Sequence, residues 1–205
     1  MSAVGRLWKA FRSPSSRYAA GSLLVIGGVA GVVLWGGFNW AMDMSSTEKF
    51  CISCHEMEST VYQELKTTIH YNNRTGVRAI CSDCHVPKQW IYKVRRKIQA
   101  TFNEVPNHFL GKIDTREKFE AHRLAMAQKV WATMKSTDSR ECRNCHDISH
   151  MDLEKQQPRA RGQHEDAKTS GETCIDCHKG IAHKHVEEKK EDTGEGEGEG
   201  GFTLQ

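Results

Sequence analysis

Four copies of one five-residue pattern, Cys-x-x-Cys-His, constrain this 205-residue chain more than any other feature. They begin at Cys51, Cys81, Cys142 and Cys174 and together use all eight cysteines, so none is left for a disulfide or a lone nucleophile. The pattern is typical of covalent c-type haem attachment, in which the two thiols bind the haem vinyl groups and the histidine binds iron.

Zinc is the alternative to haem, because Cys-x-x-Cys is also half of a zinc site. Zinc does not need a histidine directly after every second cysteine, whereas haem attachment does, and all four copies have one. We therefore expect four covalently attached c-type haems. Their thiols are Cys51, Cys54, Cys81, Cys84, Cys142, Cys145, Cys174 and Cys177, and the adjacent histidines are His55, His85, His146 and His178.

The composition indicates a chain that cannot build an ordinary core of its own. Only 38% of its residues are hydrophobic, and part of that share lies in one N-terminal segment. Four porphyrins would supply the missing apolar bulk. The predicted fold class is therefore mainly α and irregular: a single N-terminal transmembrane helix, then a multihaem cytochrome c domain organised around four covalent haems.

An uncharged run from Tyr18 to Met42 predicts a membrane span, because about 20 apolar residues cross a bilayer core. A cleaved signal peptide is the alternative, but its apolar region would be only about 7–15 residues long. Cations without any acid precede the run, which predicts a cytoplasmic N-terminus and places the rest of the chain outside the cytoplasm, where bacteria attach c-type haem. The cations are Arg6, Lys9, Arg12 and Arg17.

The motif starts are 30, 61 and 32 residues apart, which suggests two dihaem halves or a coincidence of spacing. The long gap between them predicts two helices. The first, from Trp90, has an apolar stripe and a basic side, and Pro106 should end it. Lys97 and Glu104 fall within about 20° on one of its faces, because they are seven residues apart. They are either a surface ion pair or a proton-handling pair.

The second helix of the gap is predicted to begin with Asp114 as N-cap and Glu117 at the third helical position. Its apolar stripe includes His122, which is either a core residue or an axial haem ligand. Seven histidines lie outside the motifs, whereas four six-coordinate haems would need four distal ligands, so several of the seven are bystanders. They are His70, His108, His122, His150, His164, His183 and His185.

Several long segments resemble the NapC/NirT (NapC/NrfH) family of membrane-anchored tetrahaem cytochromes c. The resemblance covers about residues 15–185 and rests on the anchor, on CISCHEMESTVYQELKTTIHYNNRTGVRAICSDCHVP, on DTREKFEAHRLAMAQ, on ECRNCH and on TCIDCHKGIAHK. It implies oxidation of membrane quinol, ubiquinol or menaquinol, and electron transfer to a periplasmic reductase. We expect that partner to be the periplasmic nitrate reductase, with its small dihaem subunit and its catalytic subunit.

The resemblance also implies roles for individual residues. Met57, in the pattern Cys-x-x-Cys-His-x-Met, matches the axial ligand of an open first haem, and His55 is the alternative that spacing alone selects. A thioether ligand tends to raise haem potential, which suits an acceptor of electrons from quinol. Lys97 and Glu104 match residues that bind quinol and handle its proton.

Distal ligands are also implied by the resemblance, at His70 and His183. His183 lies five residues after His178, too short a segment to reach the opposite face of the same haem, so we expect it to bind a neighbouring haem. His164 and then His122 are the next candidates.

These features predict four segments: a basic cytoplasmic N-terminus at 1–17, a transmembrane anchor at 18–42, a periplasmic tetrahaem domain at 43–186 and an acidic, disordered tail at 187–205. The predicted function is a quinol dehydrogenase of the bacterial inner membrane, not the terminal reductase. The alternatives are electron donation to a nitrite or N-oxide reductase, a terminal multihaem reductase, and a passive wire or haem sensor. A formal net charge of +3 gives no support for nucleic-acid binding.

Overall fold

The computed structural model describes residues 3–14 and 17–188. Within those ranges the secondary structure is helical, without strands, which confirms the predicted fold class. The α-helices are α1 (Ala3–Arg12), α2 (Ala20–Met44), α3 (Glu48–Cys51), α4 (Tyr62–Leu65), α5 (Cys81–His85), α6 (Trp90–Asn103), α7 (Val105–Phe109), α8 (Arg116–Ser136), α9 (Arg140–Arg143), α10 (Pro158–Ser170) and α11 (Cys174–Cys177). One π-helical segment, Met57–Val61, precedes α4 directly.

Two compact units divide the chain, one ending at Cys51 and the other beginning at Ile52. The first unit contains α2, the one helix of the described residues that is long and apolar enough to cross a membrane. This helix extends two residues beyond the predicted end at Met42. It ends where the hydroxyls of Ser45 and Ser46 donate hydrogen bonds to the Met42 carbonyl, which satisfies an acceptor that the helix itself leaves unpaired.

The second unit has a very small polypeptide core. Across the whole described chain, the only buried apolar side chains are Met42, Leu65, Phe119 and Ile175. An ordinary domain of this size buries many more apolar residues. The sequence-based expectation of a protein that cannot supply its own core is therefore met in this unit.

Helix α8 is the longest element of the second unit, and its start differs from the prediction. Thr115, rather than Asp114, is the N-cap, and its Oγ1 accepts a hydrogen bond from the Lys118 N–H at 3.3 Å. The Asp114 carboxylate instead binds the Lys118 ammonium at 2.7 Å. The N-cap prediction was therefore wrong by one residue, because either side chain can accept from the first turn of the helix.

Helix α6 ends at Asn103, before the proline that was predicted to end it. A short further helix, α7, starts at Val105, and Pro106 lies in its first turn. Proline is well tolerated there, because the N–H that it lacks would have had no helical partner. The first helix therefore ends before Pro106, as predicted, and the short helix α7 that follows it was not predicted.

Candidate haem and quinol sites

Two of the motifs form short helices that begin in the same way. Asp83 in α5 accepts the Ile80 N–H at 3.0 Å, and Asp176 in α11 accepts the Thr173 N–H at 2.8 Å. Each aspartate directly precedes the second cysteine of its motif. The carboxylate therefore caps the turn that holds both thiols, and it fixes their spacing before haem attachment.

The third and fourth motifs complete a helical turn through their histidines. The N–H of His146 donates to the Cys142 carbonyl, and that of His178 donates to the Cys174 carbonyl, each at 2.8 Å. All eight cysteine thiols are free of disulfide bonds. The local fold therefore presents each pair of thiols and its histidine on one turn, as haem attachment requires.

Every motif histidine faces a second histidine from a distant part of the chain. The centroid separations of the imidazole rings fall between 5.9 and 6.3 Å. The pairs are His55 with His108, His85 with His183, His146 with His70, and His178 with His164.

This separation fits a haem iron between the two rings. An imidazole nitrogen binds a transition metal at about 2 Å, so two imidazoles on opposite faces of one iron have ring centroids about 6 Å apart. Directly stacked aromatic rings would lie closer, at about 4.5 Å in the tightest pairs. At the second, third and fourth motifs, the two facing imidazoles could therefore each hold one iron between them, and the pair at the first motif has the same separation.

Two of the non-motif rings are held by their other nitrogen. The Nδ1–H of His164 donates to the Gln156 side-chain oxygen at 2.6 Å, and that of His108 donates to the Glu56 carboxylate at 2.7 Å. Such a bond leaves Nε2 unprotonated and aimed away from the acceptor, as in metal-binding histidines. The other two non-motif rings are not held in this way, because His70 and His183 each have a buried Nδ1 without a hydrogen-bond partner among the described residues.

Burial keeps the imidazoles of His85 and His183 in the metal-binding form. It lowers the pKa of His85 to about 4, and the charges of His183 and Arg96 add to the effect. Burial likewise lowers the pKa of His183, by more than nearby Glu64 and the Val61 carbonyl raise it. Both rings are neutral at physiological pH, and neutral imidazole is the form that binds metal.

Three of the predicted distal histidines, His70, His183 and His164, each lie opposite a motif histidine. His122, the last candidate, is exposed, and its Nδ1–H donates to the Lys118 carbonyl at 2.8 Å. Across residues 3–14 and 17–188 it has no ring contact with another histidine. His108 was missed: it was one of seven histidines outside the motifs, and only its position one turn after Glu104 set it apart.

The imidazole pairs connect the two close pairs of motifs to each other. His70, which lies before the second motif, faces the histidine of the third, and His183, which follows the fourth motif, faces that of the second. Helices α5 and α9 are also in contact. Residues 52–188 therefore belong to one unit, and the two dihaem halves that the motif spacing suggests would lie within it.

A buried ion cluster holds the segment that carries His183. The guanidinium of Arg123 donates to both Glu64 carboxylate oxygens, at 3.0 and 2.7 Å, and also binds Glu120. The Glu64 carboxylate accepts a further bond from the Lys184 N–H at 2.9 Å. Because Lys184 directly follows His183, this cluster joins α4, α8 and the C-terminal segment at the point where His183 faces His85.

The first motif has a different environment from the other three. The Glu56 side chain is only 2% exposed; one of its oxygens binds His108 and the other has no partner among the described residues. His55 is largely exposed and lies 3.5 Å from the same carboxylate. Half-buried Met57 begins the π-helical segment. A π-helical turn is rare and occurs mostly at functional sites.

Near the end of α6, the predicted quinol-binding residues have an unexpected neighbour. The Arg96 guanidinium contacts the Glu104 carboxylate at 2.8 Å. The Nε–H of Arg96 also donates to the His85 carbonyl at 3.2 Å, so this arginine connects the Glu104 carboxylate to the second motif. Lys97 is half-buried in the next position, and the Glu104 side chain is 60% exposed and accessible to a ligand.

Comparison with known proteins gives the family. Residues 13–188 match the NapC/NirT cytochrome c family, N-terminal region. The cytochrome c-type protein NapC of Escherichia coli (strain K12) is 56% identical over 181 residues, which cover 88% of this chain and 90% of that protein. The denitrification system component NirT of Stutzerimonas stutzeri is 55% identical over 179 residues, or 87% of this chain and 89% of that protein.

A longer relative shares the same region. The cytochrome c-type protein TorC of Escherichia coli (strain K12) is 44% identical over 180 residues, which cover 87% of this chain but only 46% of that protein. No solved structure gives a significant match.

Proposed function

Because the chain belongs to the NapC/NirT cytochrome c family, whose members carry covalent haem c and are anchored in the membrane, we propose that it is a quinol dehydrogenase. It oxidises ubiquinol or menaquinol and passes the electrons through four c-type haems to a periplasmic reductase. The observation that carries this proposal is the set of three imidazole pairs at the second, third and fourth motifs, each at the separation of two ligands on one iron. Several such pairs in one compact unit favour a path for electrons over a single catalytic centre.

Helix α2 is the proposed anchor in the bacterial inner membrane. Arg6, Lys9 and Arg17 precede it without any acid, and cations accumulate on the cytoplasmic side of a span. The N-terminus is therefore cytoplasmic, and the haem domain lies in the periplasm. The first motif begins at Cys51, soon after Met44 ends the helix, so its haem is attached close to the lipid in which quinol is dissolved.

The four haems, once attached, supply one-electron redox chemistry. Three of them are held by two imidazoles each: His85 with His183, His146 with His70, and His178 with His164. The haem of the first motif takes Met57 as axial ligand, and His55 is the alternative, since its ring is paired with His108. A thioether ligand raises haem potential relative to two imidazoles, which favours electron transfer from quinol.

Lys97 and Glu104 handle the quinol. Oxidation of one quinol releases two electrons, which pass to the haems, and two protons, which need acceptors outside the lipid. The Lys97 ammonium hydrogen-bonds a quinol oxygen, and the exposed Glu104 carboxylate accepts a proton as general base. Arg96 fixes the position of that carboxylate relative to the second motif.

The periplasmic nitrate reductase is the proposed partner, through its small dihaem subunit and its catalytic subunit. Support comes from the 56% identity to proteins named NapC. Donation to another periplasmic reductase, for nitrite or an N-oxide, is the second candidate, because NirT and TorC are also similar. A terminal reductase is less well supported, because at the second, third and fourth motifs two imidazoles would hold each iron and leave it without a free position.

The proposal is tested by stopped-flow haem reduction with a short-chain quinol, on the full-length protein in lipid nanodiscs. Glu104→Gln keeps the side-chain shape and removes the proton acceptor, so reduction should slow by about 10²-fold, the scale of a lost general base. Lys97→Gln should raise the quinol concentration needed for half-maximal rate. Both variants should keep four haems and be reduced normally by dithionite.

Lys129→Gln and Glu165→Gln are matched controls, because both side chains are exposed on other helices of the same unit. Neither should change the rate. Wild-type rates in both the Lys97 and the Glu104 variants would move the quinol site elsewhere. The partner is tested by adding each purified reductase with its substrate: nitrate-dependent reoxidation of the haems supports the first candidate, and reoxidation with the nitrite or N-oxide reductase alone supports the second.

A further inference from the structure

An apolar stripe on α6 and α7 is exposed along its whole length. It consists of Ile98, Phe102, Val105 and Phe109, at the three- and four-residue spacing of one helical face. Phe102 and Phe109 are 75% and 81% exposed. Soluble monomers rarely expose a continuous apolar surface of this kind. Where one is exposed, it usually marks an interaction site.

The stripe faces away from the body of the second unit. Arg96 marks the inward side of α6, because it donates to the His85 carbonyl, and Tyr92 lies on the same side under the Arg140 guanidinium, at 4.5 Å. At 3.6 residues per turn, Ile98 and Phe102 lie about 120–160° around the helix from Arg96. Ile98 and Phe102 therefore do not face the second motif, and their exposure has another cause.

The charge around the stripe identifies what covers it. Between residues 86 and 113 the only acid is Glu104, which is paired with Arg96. The same segment has six cations: Lys88, Lys93, Arg95, Arg96, Lys97 and Lys112. An apolar helical face with a strong excess of basic residues is the composition of helices that lie in the headgroup region of anionic bilayers.

We propose that α6 and α7 form a second membrane contact, in which the stripe inserts into the acyl boundary of an anionic phospholipid surface and the surrounding cations bind headgroup phosphates. Such a contact would hold Lys97 and Glu104, on the same helix, at the level where a quinol headgroup leaves the lipid. The inference rests on the proposed membrane anchor, but it is tested by a readout that does not depend on quinol oxidation.

The test is site-specific photocrosslinking of the full-length haem-loaded protein in nanodiscs. Benzoylphenylalanine replaces Phe102 or Phe109, both of which are aromatic already, and mass spectrometry detects phospholipid adducts on the resulting peptides. Val33, inside α2, is the positive control for lipid contact, and exposed Gln128 on α8 is the control for collision with solvent-phase lipid.

Phospholipid adducts at both aromatic positions, with none at Gln128, are expected. The yield should be higher in discs that contain phosphatidylglycerol than in phosphatidylcholine alone. Arg95→Glu should reduce the adduct yield by at least about fivefold, which corresponds to the affinity that one basic residue contributes at an anionic surface. Absence of adducts at Phe102 and Phe109 while Val33 gives them would overturn the proposal. Crosslinks from the stripe to a second copy of the chain or to an added reductase, in place of lipid, would overturn it as well.

Discussion

Replacement of Arg123 by methionine should destabilise the haem domain far more than the loss of an exposed charge does. The Arg123 side chain is 9% exposed and that of Glu64 is 19% exposed, so the substitution leaves a mostly buried carboxylate with the Lys184 N–H as its remaining partner. Breaking a buried pair in this way costs about 3–5 kcal/mol. The Glu120 carboxylate is 35% exposed and is rehydrated, so we expect a value near the lower limit, about 3 kcal/mol.

The assay is urea unfolding of the purified tetrahaem protein, followed by far-ultraviolet circular dichroism. Arg161→Met is the matched control, because it also breaks an arginine–glutamate ion pair, but one whose side chains are 36% and 81% exposed. Such a surface pair contributes only about 0–1 kcal/mol.

A double variant, Arg123→Met with Glu64→Gln, should recover part of the loss, because it removes the unpaired charge as well. The cluster also holds the His183 segment, so Arg123→Met should weaken the His85–His183 ligand pair selectively. An Arg123→Met variant whose free energy of unfolding lies within about 0.5 kcal/mol of the wild-type value, as for surface substitutions, would refute this reasoning.

Three further predictions follow from the same contacts. Removal of residues 1–44, with a cleavable signal supplied, should give a soluble protein that dithionite reduces but membrane quinol reduces slowly; unchanged quinol oxidation by membranes would show that α2 does not contribute to the site. Gln156→Ala should weaken the iron bond of His164 by about 10–100-fold, because it removes the acceptor of the His164 Nδ1–H; this is measured as loss of one low-spin haem signal on acid titration, whereas exposed Gln157→Ala should leave the signal intact. Burial raises the pKa of Glu64, but the bonds from Arg123 and Lys184 lower it by more, so the net shift is downward. The stabilisation from Glu64 is therefore present above the ordinary glutamate pKa of 4.5 and is lost as the pH falls through the lowered pKa. Glu64→Gln should flatten the fall in urea midpoint over that range.

The sequence was sufficient for the features that depend on local pattern. Haem attachment depends on five consecutive residues, and α2 depends on an uninterrupted apolar run, so both could be predicted from the chain alone. The capping of α8 was missed by one residue, because Asp114 and Thr115 are equally good acceptors and only the backbone conformation distinguishes them. Helix α6 ends before Pro106, as predicted, but the new helix α7 was missed, although proline is a common first-turn residue.

The pairing of histidines depends on long-range folding and could not be deduced from spacing. His70 and His183 were selected by resemblance, but the motif histidine that each faces is set by the packing of segments far apart in the chain. The exchange of ligands between the two close pairs of motifs, through His146 and His85, has no local signature. The same holds for Arg123, an arginine on a helix whose sequence pattern is otherwise amphipathic, and for Arg96, which binds the Glu104 carboxylate.

Haem ligation tests the proposal most directly, because the first haem, next to the anchor, is expected to have a ligand that differs from those of the other three. The measurement is electron paramagnetic resonance of the oxidised full-length protein, after mass spectrometry has counted its haems. We predict four haems: three low-spin haems with two imidazoles each and one high-spin haem, which alone is perturbed by Met57→Ala, while His55→Ala has a mild effect. Four low-spin bis-imidazole signals would contradict the proposal, because they would place His55 and His108 on one iron in place of Met57.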